Sequence, residues 1–381
     1  MEAKLSAASR RVAPSPIQQL SHLAQRAGAV NLAEGFPDFP APAHVKAAAA
    51  AAIAADLNQY RHVQGICDVL AETMKRDHGL HVDPLTDFAV CCGQSEAFAA
   101  AIFAIIDQGD EVLLFDPAFE TYQTCIELAR GVSVYVPLDP PSWTLNEDKF
   151  LKSFTDRTKA VVLNSPHNPT GKVFSKEELL IIAQACQKMD CFAITDEECK
   201  IGPSSRWRIG WACAPASIAS AIRNIHVKLT DSAPAPFQEA ALVALTSTPD
   251  FYTSLKKDYT ARRDFILQML TDFGFRISFK PQGSIFVFVE LPRSWQLSDM
   301  EFVTNLIKNA GVAAVPGRGF FHSSSDDPSY HHRYVRFAFC KSNDTLNAAA
   351  EKMKKLAASD ARILRPTDDG EAGQTVSAIS P

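Results

Sequence analysis

No stretch of this chain stays apolar long enough to span a bilayer. The first residues, MEAKLSAASRRVAPSPIQQL, also lack the apolar core of a secretory signal, so the cytosol is the expected location. There is no Cys-x-x-Cys pair and no histidine cluster at zinc spacing, which removes the common metal frameworks. The nine cysteines (67, 91, 92, 125, 186, 191, 199, 213 and 340) are odd in number and sit mostly in apolar stretches. They read as core thiols of a reducing compartment. Positive charge is not in excess: 38 Lys and Arg face 43 Asp and Glu, for a formal net charge of -5. Without a basic footprint, nucleic acid and anionic membrane are not expected partners. Internal repeats are not apparent.

What the chain does have is bulk. With 381 residues, 46% of them hydrophobic and 21% charged, it can bury a large core and should divide into two domains. From about residue 48 to 236, short apolar runs alternate with helical patterns, the mark of a mostly parallel α/β sheet covered by helices, and a large domain is expected over about 45–250. The predicted strands are FAVCCG (88–93), EVLLFD (111–116), VSVYVPL (132–138), AVVLNSP (160–166) and CFAITDE (191–197). Several are apolar throughout, as strands buried on both faces are. Between them SEAFAAAIFAII, FETYQTCIELAR and SKEELLIIAQACQKM are amphipathic, and the last opens with a Ser175/Glu178 capping box. A long helical pattern near 251–273 leads into mixed material, expected to be a smaller α+β domain over 251–364 joined by the segment 1–44. Residues 365–381 are polar and aperiodic, and read as a loose tail.

The sharpest local signal is NSPHNPTGKVFS (164–175). Asn-Pro and Thr-Gly would punctuate any turn, but this turn follows a buried strand, where open α/β sheets place ligands. With NLAEGFPDFP (31–40), NQYRHVQG (58–65), DPAFETY (116–122), ITDE (194–197), WRIGW (207–211) and YVRFAF (334–339), the chain resembles the class I and II aminotransferases. These are the fold-type I pyridoxal-phosphate enzymes, and the resemblance is to their kynurenine/glutamine transaminase and cysteine-conjugate β-lyase group. Seven motifs in family order cover almost the whole length.

The resemblance implies pyridoxal 5'-phosphate as cofactor, a homodimer, and transamination of an aromatic or sulfur-containing amino acid with a 2-oxo acid acceptor. Gly93, Gln94 and Ser95, at a strand-to-helix turn, would face the phosphate. Arg208 would supply its counter-charge, and Tyr60 would reach the phosphate of the partner subunit. Phe119 would stack on the pyridine ring, Asp196 would meet the ring nitrogen, and Asn168 would donate to the phenolic oxygen. Arg336 would clamp the substrate carboxylate, with Gly35 offering a backbone N–H. Without the resemblance, Arg208 reads as a surface arginine and Phe119 as core.

Lys200 lies eight residues before Arg208, the family spacing for the lysine that bonds the cofactor aldehyde. Its context departs from the family. Glu197, Cys199 and Arg206 stand where a serine, a tyrosine and a glycine are expected. Only three residues separate Asp196 from Lys200, where the family has several tens, including a crossover and a strand. The sheet is therefore expected to be one strand short. Lys200 is either the catalytic amine or a solvated charge in the broken loop ECKIGPSSR, and the chain is either an active enzyme or an impaired aminotransferase-like form. A reading from another class makes GQSEA (93–97) a serine nucleophile elbow of an α/β-hydrolase, with Ser95 served by His322, His331 or His332. It leaves the Asn-Pro-Thr-Gly turn and Arg336 unexplained.

Overall fold

The computed structural model of the chain describes residues 4–6, 9–10, 16–62, 64–197, 207–322 and 328–359. Lys200, Cys199, Arg206 and the polar tail 365–381 lie outside the described residues. No helix among the described residues is long and apolar enough to cross a membrane.

The apolar runs fold as strands in chain order. After the short β1 (Val30–Asn31) come β2 (Phe88–Cys91), β3 (Glu111–Asp116), β4 (Val132–Asp139), β5 (Thr144–Leu145), β6 (Thr158–Asn164) and β7 (Phe192–Asp196). β8 (Gly210–Cys213), β9 (Phe286–Glu290), β10 (Val312–Ala313), β11 (Val315–Pro316) and β12 (Tyr334–Ala338) follow. β3, β4, β6 and β7 pair in parallel in the order β4-β3-β6-β7, with β5 antiparallel on the outer edge of β4. β3 is buried along its whole length and β6 along most of it, as expected of strands covered on both faces.

Helices supply the covering layers. α1 (Gln94–Ile105) follows β2, α2 (Glu120–Leu128) follows β3, and α3 (Lys176–Lys188) follows β6. The Ser175/Glu178 capping box at the start of α3 is formed in both directions, satisfying two otherwise orphaned amides. α4 (Ala216–Thr230) packs on α1, and the 25-residue α5 (Pro249–Phe273) ends at Gly274 in the left-handed conformation, φ 116°. The smaller sheet is antiparallel, β11-β12-β9, and α6 (Asn343–Ser359) closes the described chain.

The expected single sheet is in fact divided. Among the described residues β2 pairs with β8, antiparallel, and β7 pairs with β6, with no strand between β7 and β8. β7 is exposed for a strand of this composition, with Phe192 at 38%. α1 spans the two pieces on one face: Phe98 and Ile102 pack with the β3 and β6 core, while Ala97 and Ala100 pack with β2.

Candidate active site

The polar motifs converge where β2, β6 and β7 end and β12 crosses. After β2 the chain turns at Gly93, φ +91°, into α1. A Cβ on Gly93 would lie 2.7 Å from the Arg208 guanidinium, so only a residue without a side chain lets Arg208 rest there. Arg208 itself has φ +53°, a conformation costly for a branched backbone and concentrated at functional positions. Gly210 is packed against the backbone of Gly93 and Gln94 with no room for a Cβ. Together these put a cation beside the amides of Gln94 and Ser95 at a helix N-terminus, the geometry of an anion site.

Beneath the loop, Glu96 accepts from the Cys92 amide at 2.5 Å and from His226 Nδ1 at 2.6 Å. Burial would push the Glu96 carboxyl up, but the His226 and Cys92 hydrogen bonds outweigh it and hold the group below its ordinary range.

Asp196 ends β7 with its side chain partly buried. Oδ2 accepts from Gln94 Nε2 at 2.6 Å and from the Tyr122 hydroxyl, while Oδ1 accepts nothing among the described residues. Burial raises its pKa above the usual carboxylate range; the Tyr122 hydrogen bond opposes this and Glu197 adds to it. Tyr122, buried and in α2, meets Phe119 edge-on with ring centroids 5.7 Å apart. Neither Tyr122 nor the Gln94 side chain was singled out from the sequence as a partner of Asp196, although both lie in the motifs that drew attention. Their signal was position: Tyr122 falls one helical turn after Phe119.

Asn164 and Asn168 bracket the turn after β6. Asn164 Oδ1 accepts from the Asn168 amide at 2.6 Å, and its Nδ2 donates to the Asp196 carbonyl at 3.1 Å. Asn168 Oδ1 accepts from Arg336 at 2.9 Å, which directs the Asn168 amide nitrogen elsewhere. Arg336, on β12, is 2% exposed and lies between the rings of Phe286 (3.9 Å) and Phe320 (4.8 Å). Its other arm donates to the Ala33 carbonyl at 3.2 Å. Gly35 sits on the Phe286 ring with no space for a Cβ. The segment that carries it is tied down by Lys341, whose Nζ donates to the Phe36 carbonyl at 2.9 Å, and by Asp38, which accepts from Ser342 and Thr345.

The remaining expectations divide. Among the described residues no contact ties Tyr60 to this cluster; it is 78% exposed. The nearby Lys172 is committed to Glu178 at 2.8 Å. The hydrolase reading fails on geometry, since Ser95 makes no hydrogen bond to a histidine among the described residues. His322 instead stacks on Tyr135 and faces Asp116 at 3.4 Å, His331 stacks on Phe321, and His332 lies in the same short turn, Pro328–Arg333.

Comparison with known proteins agrees with this arrangement. Residues 27–198 and 204–353 match the family "Aminotransferase class I and II". A probable N-succinyldiaminopimelate aminotransferase of Mycobacterium tuberculosis is 33% identical over 388 aligned residues, covering 91% of this chain and 97% of that protein. Human kynurenine–oxoglutarate transaminase 1 is 30% identical, covering 90% of this chain and 95% of its own length. Among solved structures, the mycobacterial enzyme superposes with TM-score 0.86 at 32% identity over 92% of this chain and all of that one. Aspartate aminotransferase from Thermus thermophilus with maleate gives 0.83 at 29% identity, over 92% and 99%.

Proposed function

This chain belongs to the class I and II aminotransferases, pyridoxal-phosphate enzymes that transfer amino groups between amino acids and 2-oxo acids, and from that premise we propose how its own residues divide the work. The observation that carries the assignment is the cradle of Gly93, Gln94 and Arg208 standing next to a partly buried carboxylate, Asp196. The cradle suits a phosphate: backbone amides, a helix N-terminus and a guanidinium meet where a Cβ cannot. Asp196 Oδ1 suits a protonated ring nitrogen, Phe119 a ring face, and the Asn168 amide nitrogen a phenolic oxygen.

When bound, the cofactor supplies an electron-poor ring that accepts the electron pair left as an amino acid loses its Cα proton. Asp196 keeps the ring nitrogen protonated, and its Tyr122 and Gln94 contacts hold it in place. Arg336 grips the α-carboxylate of the amino acid and then of the 2-oxo acid, while Gly35 closes over it. Phe286 and Phe320 pack on the Arg336 guanidinium and fix its position, and the kynurenine transaminase relative supports an aromatic or sulfur-containing amino acid as substrate. Lys200, assigned by its spacing to Arg208, would hold the cofactor through its amine and serve as the base for the Cα proton. The exposed Tyr60 reaches the phosphate of a second copy, in a homodimer of the cytosol.

A second reading has its own observation. Among the described residues β7 pairs with β6 and β8 with β2, with no strand between them, and only three residues separate Asp196 from Lys200. On this reading a segment with a strand is missing between Asp196 and Lys200, and the chain binds the cofactor without efficient turnover. Borohydride reduction after incubation with pyridoxal phosphate, followed by peptide mapping, tests the first reading. A pyridoxyl group on Lys200 and amino-group transfer from kynurenine or methionine to 2-oxoglutarate support it. Reversible binding with no labelled lysine supports the second reading and overturns the first.

A further inference from the structure

α3 stops in a way that brings two thiols together. Met189 caps the helix, Asp190 turns left-handed at φ 49°, and the Cys191 amide donates to the Cys186 carbonyl at 3.1 Å. The Asp190 amide reaches the Gln187 carbonyl at 3.4 Å. This crossed pair of bonds is the Schellman helix stop, which folds the second residue past the cap against the side chain three before it. Any two small apolar residues would make that contact. Here both are cysteines, one buried and one partly exposed, and Cys191 packs against the apolar cluster that contains Cys186.

We propose that Cys186 and Cys191 form a reversible intrachain disulfide on exposure to a small-molecule disulfide such as oxidised glutathione. Cys191, the more accessible, attacks as thiolate on one glutathione sulfur and releases one glutathione thiolate. Cys186 then attacks the Cys191 sulfur of the mixed disulfide and releases the second. Two cysteine thiols are oxidised, one glutathione disulfide is reduced to two thiols, and the two cysteine protons leave with them. Burial pushes the Cys186 thiol up to about 12 and raises Cys191 as well. The exchange is therefore slow at neutral pH and accelerates as the medium becomes alkaline. Cys67, Cys91, Cys125 and Cys340 are buried thiols in no disulfide, and none of them sits at such a stop.

The position gives the bond a structural consequence. β7 begins at the next residue, Phe192, pairs with β6, and ends on Asp196. A covalent link at its first turn fastens the strand to α3, closing a short loop. The inference does not depend on transamination.

The test uses the full chain treated with oxidised glutathione at about pH 8.5, where thiolate is more abundant. The chain is then blocked with N-ethylmaleimide and digested with trypsin. Cleavage after Lys188 places the two thiols on separate peptides, 177–188 and 189–200. The expected result is one cross-linked species joining them through Cys191, retained in C199S, lost in C191S, and accompanied by a melting temperature raised by roughly 2–4 °C. Complete alkylation of Cys186 after oxidation, glutathione left on Cys191 without a cross-link, or a bond that maps to Cys199 overturns the proposal.

Discussion

The turn after β6 and the seam between β7 and β8 hold neighbouring parts of one site by opposite means. β6 is paired on both sides, and the residues after it are locked by Asn164, Asn168 and Arg336 in a chain of buried hydrogen bonds. Among the described residues β7 is paired on one side, its residues are partly exposed, and Asp196 depends on side chains from α1 and α2 for its position. Binding groups anchored on a doubly paired strand are organised before a ligand arrives. Those on a free edge are organised only by their neighbours.

The largest way to break this comparison is at the cradle. Gly93→Ala forces a Cβ into the Arg208 guanidinium at a positive φ, so cofactor affinity should fall about 100-fold, read by equilibrium dialysis, while the fold survives. A loss below threefold would mean the anion site lies elsewhere. The two strands can be weighed directly next. Val161→Ala, on β6 at 0% exposure, should cost about 2 kcal/mol in urea unfolding. Phe192→Ser, on the β7 edge, should stay within about 0.5 kcal/mol. Equal costs would show that the edge is covered in solution.

Tyr122→Phe removes one donor from Asp196 and should weaken cofactor binding about five- to tenfold, with no loss of secondary structure. The smallest effect concerns pH. Asp196 is raised by burial, so its protonated form is favoured in the fold. That contribution is complete below the unfolded carboxyl range and is lost as pH rises through the folded value. Without cofactor, Asp196→Asn should therefore melt about 2 °C above the parent at pH near 8 and match it at acid pH, while binding the cofactor less well. A parent that outlasts the variant at alkaline pH would contradict the buried carboxylate.

Much of this was legible in advance for local reasons. Continuous apolar runs marked β3 and β6, Ser175 with Glu178 marked the start of α3, and the motif order led to Gly93, Asn168, Asp196, Arg208 and Arg336. What escaped was long-range. The bond from Arg336 to Asn168 spans 168 residues, and no periodicity in either segment announces it. The Tyr122 and Gln94 grip on Asp196 depends on which side of α1 and α2 faces β7, which packing decides. The division of the sheet follows from pairing partners, which a strand's own residues do not name.

The edges of β7 and β8 that pair with no strand among the described residues have a cost that only appears with time and concentration. Where such an edge stands open, its amide and carbonyl groups next to apolar side chains will recruit any extended polypeptide that brushes past, another partly opened molecule included. For this protein, the half-life of a concentrated stock at body temperature is then a truer measure of durability than its melting point.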